Sequence, residues 1–451
     1  MSLANNQPLR RPWNGRDQDV LARLEKPAVT VMLALFLANG NASPELTTIL
    51  GLVAMVVVGG RAAVAASARI AAPTLILLVV AGLVTVAAGR LGFDAARSTY
   101  TILRLPIYLG LGIAVMVRYR DIRIPINALI LACVGLSFYF IQLYVTSPDI
   151  VAAGRYTLRT ELAGGWNILP FGAAAALYVL LSNSRLSRGA AFGLVGVILL
   201  ALFTILLCQS RTALIGALFV GIFMAGLVPT RIYAFLIVPV VFTLIVCLTT
   251  PVLSMLVSVD VVGMIDAAAP ASFRELLALD RMNPYEINNF WRGYETFSAF
   301  TFVESRGALS SAFGTGLHTL VPLRDIMMLQ DRSYSDLPYF HNMLSFSFLR
   351  GGVLGIVLAG VQYVFMAKPL QALAMSAEPR LRLLGRMGMG IHFALIASIP
   401  ATAGFLEQSE LGATSLTAIG AIAACWALQS KAQAGQPGAP SVRGPVARFR
   451  R

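Results

Sequence analysis

Long apolar stretches bounded by glycine, proline or charge dominate this chain, falling at 27–39, 46–60, 70–89, 101–117, 124–146, 165–183, 189–208, 212–229, 232–256, 341–367, 387–405 and 411–428. A helix needs about 20 apolar residues to cross a hydrocarbon core, so the pattern predicts twelve membrane spans, some of them short. Residues 27–256 then carry spans one to nine, and residues 341–428 carry spans ten to twelve. The first run follows basic residues and ends in the small residues Ala38 to Ser43, a pattern shared by a first span and a cleaved signal peptide. The remaining topology is the same for both. One connection stands apart: residues 257–340 mix Asp260, Glu275, Asp280, Glu286, Trp291, Arg292 and Glu295 with aromatic and apolar positions. That composition predicts a partly helical lid rather than a tether. No internal repeat argues for an inverted-repeat transporter.

Composition sharpens the class. The 451 residues are 57% hydrophobic and 12% charged, with mean hydropathy +0.75, whereas soluble proteins carry roughly 25% charge. A soluble enzyme, a disordered chain and a coiled coil are excluded. The expected fold is an all-α polytopic integral membrane protein of about twelve transmembrane helices. Its net charge of +14 is scattered rather than gathered on one segment, which points away from nucleic acid and toward membrane topology. With residues 1–26 in the cytoplasm, 22 of the 35 Lys and Arg residues fall in cytoplasmic segments. Only Arg90, Arg97, Arg155 and Arg159 lie squarely in the two mid-sized outer loops. The positive-inside rule thus places both termini in the cytoplasm and the 257–340 connection outside. The tail, 429–451, is rich in Gly, Pro, Ala and Arg and reads as a disordered end attracted to anionic lipid. Cys133, Cys208, Cys247 and Cys425 sit in apolar stretches without metal-type spacing, as small buried residues do.

None of the twelve runs contains Asp or Glu, which weighs against ion-coupled transport, where an intramembrane carboxylate binds and releases the ion. The runs and their junctions hold Arg104, Arg211, His341, Arg350 and His392 instead. By the predicted topology Arg104, Arg211, the long connection and His341 share the outer membrane boundary. An isolated arginine there snorkels to the interface. Several at one depth point to a bound anion, most simply the diphosphate of a lipid-linked donor.

Gln209-Ser210-Arg211-Thr212-Ala213 resembles the Ser-Arg-x-Ala signature of the O-antigen ligase and polymerase superfamily, membrane glycosyltransferases that use undecaprenyl-diphosphate-linked glycans. His341-Asn342 followed by Gly352 and Gly355 is similar to the His-Asn and Gly-x-x-Gly pattern after that family's large outer loop. Phe290-Trp291-Arg292 and Gly314-Thr315-Gly316 resemble its loop arginine and Gly-x-Gly turn, and Arg155 through Asn167 and Pro170 resembles the start of an earlier span. The likeness covers about residues 100 to 360, and order plus topology carry it more than any single motif. One departure is Arg350, at a position where the family commonly has Glu. It is either the partner of an unseen acid or a variation without consequence.

The resemblance implies a fold like that of the type C glycosyltransferases, in a bacterial inner membrane with its active site facing the periplasm. The implied reaction is attack by an acceptor hydroxyl on the anomeric carbon of the donor, releasing undecaprenyl diphosphate. Arg211 and Arg292 are the first candidates to hold the departing diphosphate, because guanidinium stays charged and binds phosphate oxygens in a fork. Arg155, Arg159 and Arg104 rank behind them. His341 would orient or deprotonate the acceptor. The loop has no Asp-x-Asp pair, so no metal and no cofactor are expected. His318 has no counterpart in the family, and His392, toward the cytoplasmic half of span eleven, reads as a packed, hydrogen-bonded residue. Twelve spans with one dominant late loop favour a ligase joining glycan to lipid A-core. A polymerase of the same superfamily, a protein-linking oligosaccharyltransferase and a flippase without chemistry are the alternatives.

Overall fold

The computed structural model describes residues 15–38, 44–148, 167–208, 210–228, 284–329, 332–337, 342–399 and 410–434. Helices overlie eleven of the twelve apolar runs; the ninth, 232–256, lies outside the described residues, as do Cys247 and residues 257–283. Six helices are long and apolar enough to cross a membrane. Three more, Ala72–Ala87, Leu169–Ser182 and Thr212–Ala225, are apolar but shorter. The chain is thus mostly helical with the helices of a membrane protein.

The first helix, α1 (Gly15–Ala38), leads to α2 (Pro44–Ala54), a π-turn (Met55–Gly59) and α3 (Gly60–Ile70). These last three follow one another over Glu45–Ile70, with a break at Gly60, whose φ of 56 and ψ of −157 are not helical. Residues 61–69 were expected to link two spans, and they are helical instead. Five alanines, at 62, 63, 65, 66 and 68, explain the difference, since alanine loses least on entering a helix. The reversal is confined to Ala71, before α4 (Ala72–Ala87).

At the centre stands α5 (Phe93–Tyr119), buried around nearly its whole circumference from Thr101 to Met116. A helix that is apolar on all sides belongs inside the bundle. Its tightest neighbour is α14 (Glu410–Ala434). There Gly112 lies against the backbone of Thr417 and Ala421, while Gly420 lies against the Leu109 carbonyl. Small residues let membrane helices approach to backbone contact, and any Cβ at these positions would collide. Around this pair stand α6 (Arg123–Thr146), α7 (Leu169–Ser182), α8 (Arg188–Cys208), α9 (Arg211–Ala225), α12 (Met343–Ala374) and α13 (Pro379–Ala397). The outer faces expose large apolar side chains such as Val79 and Leu83 on α4 and Phe192, Leu199 and Leu206 on α8. Exposed apolar surface on this scale calls for a membrane cover.

The connection between α9 and α12 is partly helical, with α10 (Pro284–Ser305) and α11 (Ala308–Phe313). It also contains an antiparallel hairpin, β1 (Val321–Leu329) and β2 (Arg332–Leu337), pairing Val321 with Leu337 and Leu329 with Arg332. The all-helical expectation did not include these strands.

Two ends of the bundle are distinct. The Leu317 N–H donates to the Thr85 hydroxyl at the end of α4, and the Gly314-to-Gly316 turn lies against Arg350 and Gly351 of α12. This end gathers the starts of α5, α9 and α12 with α10, α11 and the hairpin. The opposite end carries the ends of α5 and α7, the starts of α6 and α13, and the exposed Arg118, Arg120, Arg123 and Arg380. There Lys26 of α1 pairs with Asp121 at 3.0 Å, and the Tyr119 hydroxyl donates to Glu25 at 2.8 Å. Burial alone would raise the Asp121 carboxyl, but Lys26 and the Arg123 N–H hold it below the usual carboxylate range.

Candidate functional site

Tyr100, Arg104 and Tyr108 recur every four residues and so share one face of α5. Arg104 is 1% exposed. Its Nη2 donates to the Tyr100 hydroxyl at 2.8 Å, and its guanidinium carbon sits 4.3 Å from the centroid of the same ring. The Tyr100 hydroxyl in turn donates to Thr48 Oγ1 of α2 at 3.0 Å, and Thr48 shares a hydrogen bond of 3.1 Å with the Tyr108 hydroxyl. The relay uses one of the guanidinium's three nitrogens. Nε and Nη1 are buried with no hydrogen-bond partner, and no carboxylate lies within ion-pair distance among the described residues.

A guanidinium held in this way does not snorkel. Leaving donors of a charged group unsatisfied in the interior is costly, and a buried polar group without a partner calls for a specific role. Two further buried hydroxyls without partners, Thr414 and Thr417, lie on α14, the helix packed along α5. Tyr100 and Tyr108 were legible as companions of Arg104 from their spacing of four. Thr48, Thr414 and Thr417 were not, because other helices bring them.

At the same end, Arg350 is 1% exposed and its Nη1 donates to the carbonyls of Gly316, at 3.0 Å, and Leu317, at 2.6 Å. Asp94, in the first turn of α5, lies 3.5 Å from His318 Nδ1, beside the same turn. Arg350 thus clamps the turn before the hairpin through two backbone carbonyls. The clamp depends on two glycines. Gly314, at φ 76, lies against the backbone of Arg350 and Gly351, and Gly352, at φ 59, kinks α12 against the carbonyl of Ser311. A residue with a Cβ would clash at either position and is disfavoured at positive φ.

The remaining motif residues show what their neighbours do. Ser210 caps α9, its hydroxyl accepting from the Ala213 N–H at 3.3 Å, which makes Arg211 the first residue of that helix. Asn342 caps α12, its Oδ1 accepting from the N–H groups of Leu344 at 2.8 Å and Ser345 at 3.4 Å. The Ser345 hydroxyl donates to Thr296 Oγ1 of α10 at 3.2 Å, and Phe300 stacks on Phe348 at 4.3 Å. Arg292 lies one turn before Thr296 on α10, and fully buried Glu295 lies beside it.

For Arg211 and Arg292 the backbone alone is described, and His341, Arg155 and Arg159 lie outside the described residues. Among these positions the structure brings 292 and 342 together, through the packing of α10 on α12, while Arg104 lies about three turns inside α5, beside α2. His392 is fully buried in α13, packed edge-on to Tyr363 at 5.5 Å. Cys133, Cys208 and Cys425 are buried thiols. Among the described residues no three His, Cys, Asp or Glu side chains come together as a metal site. No protein-family model matches the chain, and no curated protein matches it.

Proposed function

We propose that this protein is a membrane glycosyltransferase of the O-antigen ligase type. It moves a glycan from undecaprenyl diphosphate to lipid A-core at the outer face of a bacterial inner membrane. The observation that supports this reading is Arg104, a buried guanidinium with two unpartnered nitrogens. A diphosphate supplies the acceptors that those nitrogens lack.

In this reading Arg211 and Arg292 take the charge that develops on the leaving diphosphate, with Arg104, Arg155 and Arg159 on the resting donor. His341 positions or deprotonates the acceptor hydroxyl as it attacks the anomeric carbon. The capping of α9 by Ser210 and of α12 by Asn342 fixes the backbone next to Arg211 and His341. Arg350 holds the adjoining turn without touching substrate.

The test is incubation of the purified protein with undecaprenyl-diphosphate glycan and lipid A-core in detergent, followed by gel analysis. A shifted lipid A-core band that persists in EDTA supports metal-independent ligation. Glycan lengthened on the lipid carrier would make the protein a polymerase, and no covalent product would move the flippase reading ahead.

A further inference from the structure

At the end opposite Arg104 a cavity of about 560 Å³ opens between α5, α6, α7, α13 and α14. That volume lies within the roughly 300–1,000 Å³ of small-ligand sites. Its mouth carries three exposed arginines, Arg120, Arg123 and Arg380, against one carboxylate, Glu378. None of the three forms an ion pair among the described residues, and the neighbouring Asp121 is engaged by Lys26 at 3.0 Å. The starts of α6 and α13 add positive helix ends to this rim, partly offset by the ends of α5 and α7.

Arg120 occupies the left-handed cap of α5, with φ 50 and its N–H donating to the Met116 carbonyl at 2.9 Å. It is the one positive-φ residue other than glycine among the described residues. Glycine is the usual occupant of this cap, so arginine here trades backbone comfort for a cation at the rim.

The floor is apolar, built from the buried Met116, Ile126 and Leu384. Beside the cavity, and sharing Ser182, Glu378 and Arg380 with it, lies a second hollow of about 320 Å³ that reaches Leu181 and Leu383. Leu181 is 59% exposed on the outer surface of α7. A cationic mouth, an apolar floor and an apolar exit toward the bilayer match an amphiphile with an anionic head group. We infer that this cavity binds the head group of an anionic glycerophospholipid from the adjoining leaflet, its acyl chains leaving past Leu181 and Leu383. Basic pockets between membrane helices bind such lipids through charge and shape together. The chain's own tail is a poor occupant, because Lys431, Arg443, Arg448, Arg450 and Arg451 share the sign of the rim.

The inference does not rest on the proposed catalytic activity. Its test is native mass spectrometry of the full chain, stripped of lipid in detergent and titrated with phosphatidylglycerol or with phosphatidylcholine of the same acyl chains. Phosphatidylglycerol should be retained at least tenfold better. Each rim arginine is worth roughly fivefold, so the triple variant Arg120→Ala, Arg123→Ala, Arg380→Ala should lose about two orders of magnitude. Glu378→Gln should gain severalfold, which keeps the test decisive if the triple variant does not fold. Equal retention of both lipids, unchanged retention by a folded triple variant, or weaker retention by Glu378→Gln would overturn the site. Displacement of the lipid by millimolar inorganic phosphate would make it a soluble-anion site, and displacement by a peptide of residues 429–451 would make the tail its occupant. Either result overturns the lipid assignment.

Discussion

Arg104 donates a single hydrogen bond, 2.8 Å long, to the hydroxyl of Tyr100, and it lies over the ring of that same tyrosine. Both contacts orient the guanidinium, and neither neutralises it. Two of its nitrogens remain buried and open. Replacing a buried charge by an apolar side chain of similar volume is often neutral or stabilising. Arg104→Met should therefore leave the thermal midpoint unchanged or raise it. Donor binding should fall roughly 10- to 100-fold, the scale of one or two charged hydrogen bonds. The comparison is a melting curve beside binding of a lipid diphosphate. A variant that melts lower and binds donor normally would reduce Arg104 to a strut for Tyr100 and Thr48.

The kink in α12 makes a prediction about folding. Gly352→Ala places a Cβ against the Ser311 carbonyl at φ 59, at a cost of about 1–3 kcal/mol for the strained backbone alone. Gly360, in the same helix, has open space around it. Gly360→Ala should be neutral or stabilising by up to about 1 kcal/mol. Thermal melts of the two variants in detergent would check this, and equal midpoints would remove the structural role assigned to Gly352.

Helix positions were largely legible because an apolar run long enough to span a bilayer has few other uses. Helix ends were less so. Residues 61–69 looked like a loop because Arg61 and Arg69 interrupt the apolar pattern, yet the alanines between them form a helix of their own after the break at Gly60. The hairpin was invisible, since Pro322, Arg324 and Asp325 break any alternating pattern in β1 and no two-residue glycine turn follows it. Arg104 stood out in the sequence as a cation in an apolar run; its Tyr100 contact follows from spacing, whereas Thr48 comes from another helix. Arg350 was unreadable without coordinates because its partners include backbone carbonyls brought by a turn 33 and 34 residues earlier.

The tie between α1 and the α5–α6 turn gives a pH dependence. Asp121 is held below its ordinary range by Lys26 and the Arg123 N–H, burial opposing them. A depressed carboxylate stabilises the fold above its unfolded value, near about 3.9, and that contribution disappears as pH falls through the folded value. Asp121→Asn should cost under about 1 kcal/mol near neutral pH. The difference from the unmodified protein should close below about pH 4. Melts across that range test it, and a gap that widens with acid would contradict the assignment.

Sidedness can be read from accessibility. Arg185 lies at the arginine-rich end and Ser335 on the hairpin, and both are exposed. If the basic end is cytoplasmic by the positive-inside rule, Ser335→Cys should react with an impermeant maleimide in intact cells. Arg185→Cys should react only after permeabilisation. The reverse pattern would invert the topology and with it the outer-face chemistry.

The arginines and the histidine should fail in different ways. Arg211→Ala and Arg292→Ala should weaken donor binding, because each leaves diphosphate charge uncompensated. Arg211→Lys should recover little, since an ammonium cannot reproduce the planar fork. His341→Ala should keep the donor bound and lower transfer roughly 10²–10⁴-fold, the usual loss when a general base is removed. Binding and product formation, measured separately in the four variants, distinguish these roles. Near-normal transfer by His341→Ala would remove the base from the mechanism, and normal binding by both arginine-to-alanine variants would leave Arg104 without the partners proposed for it.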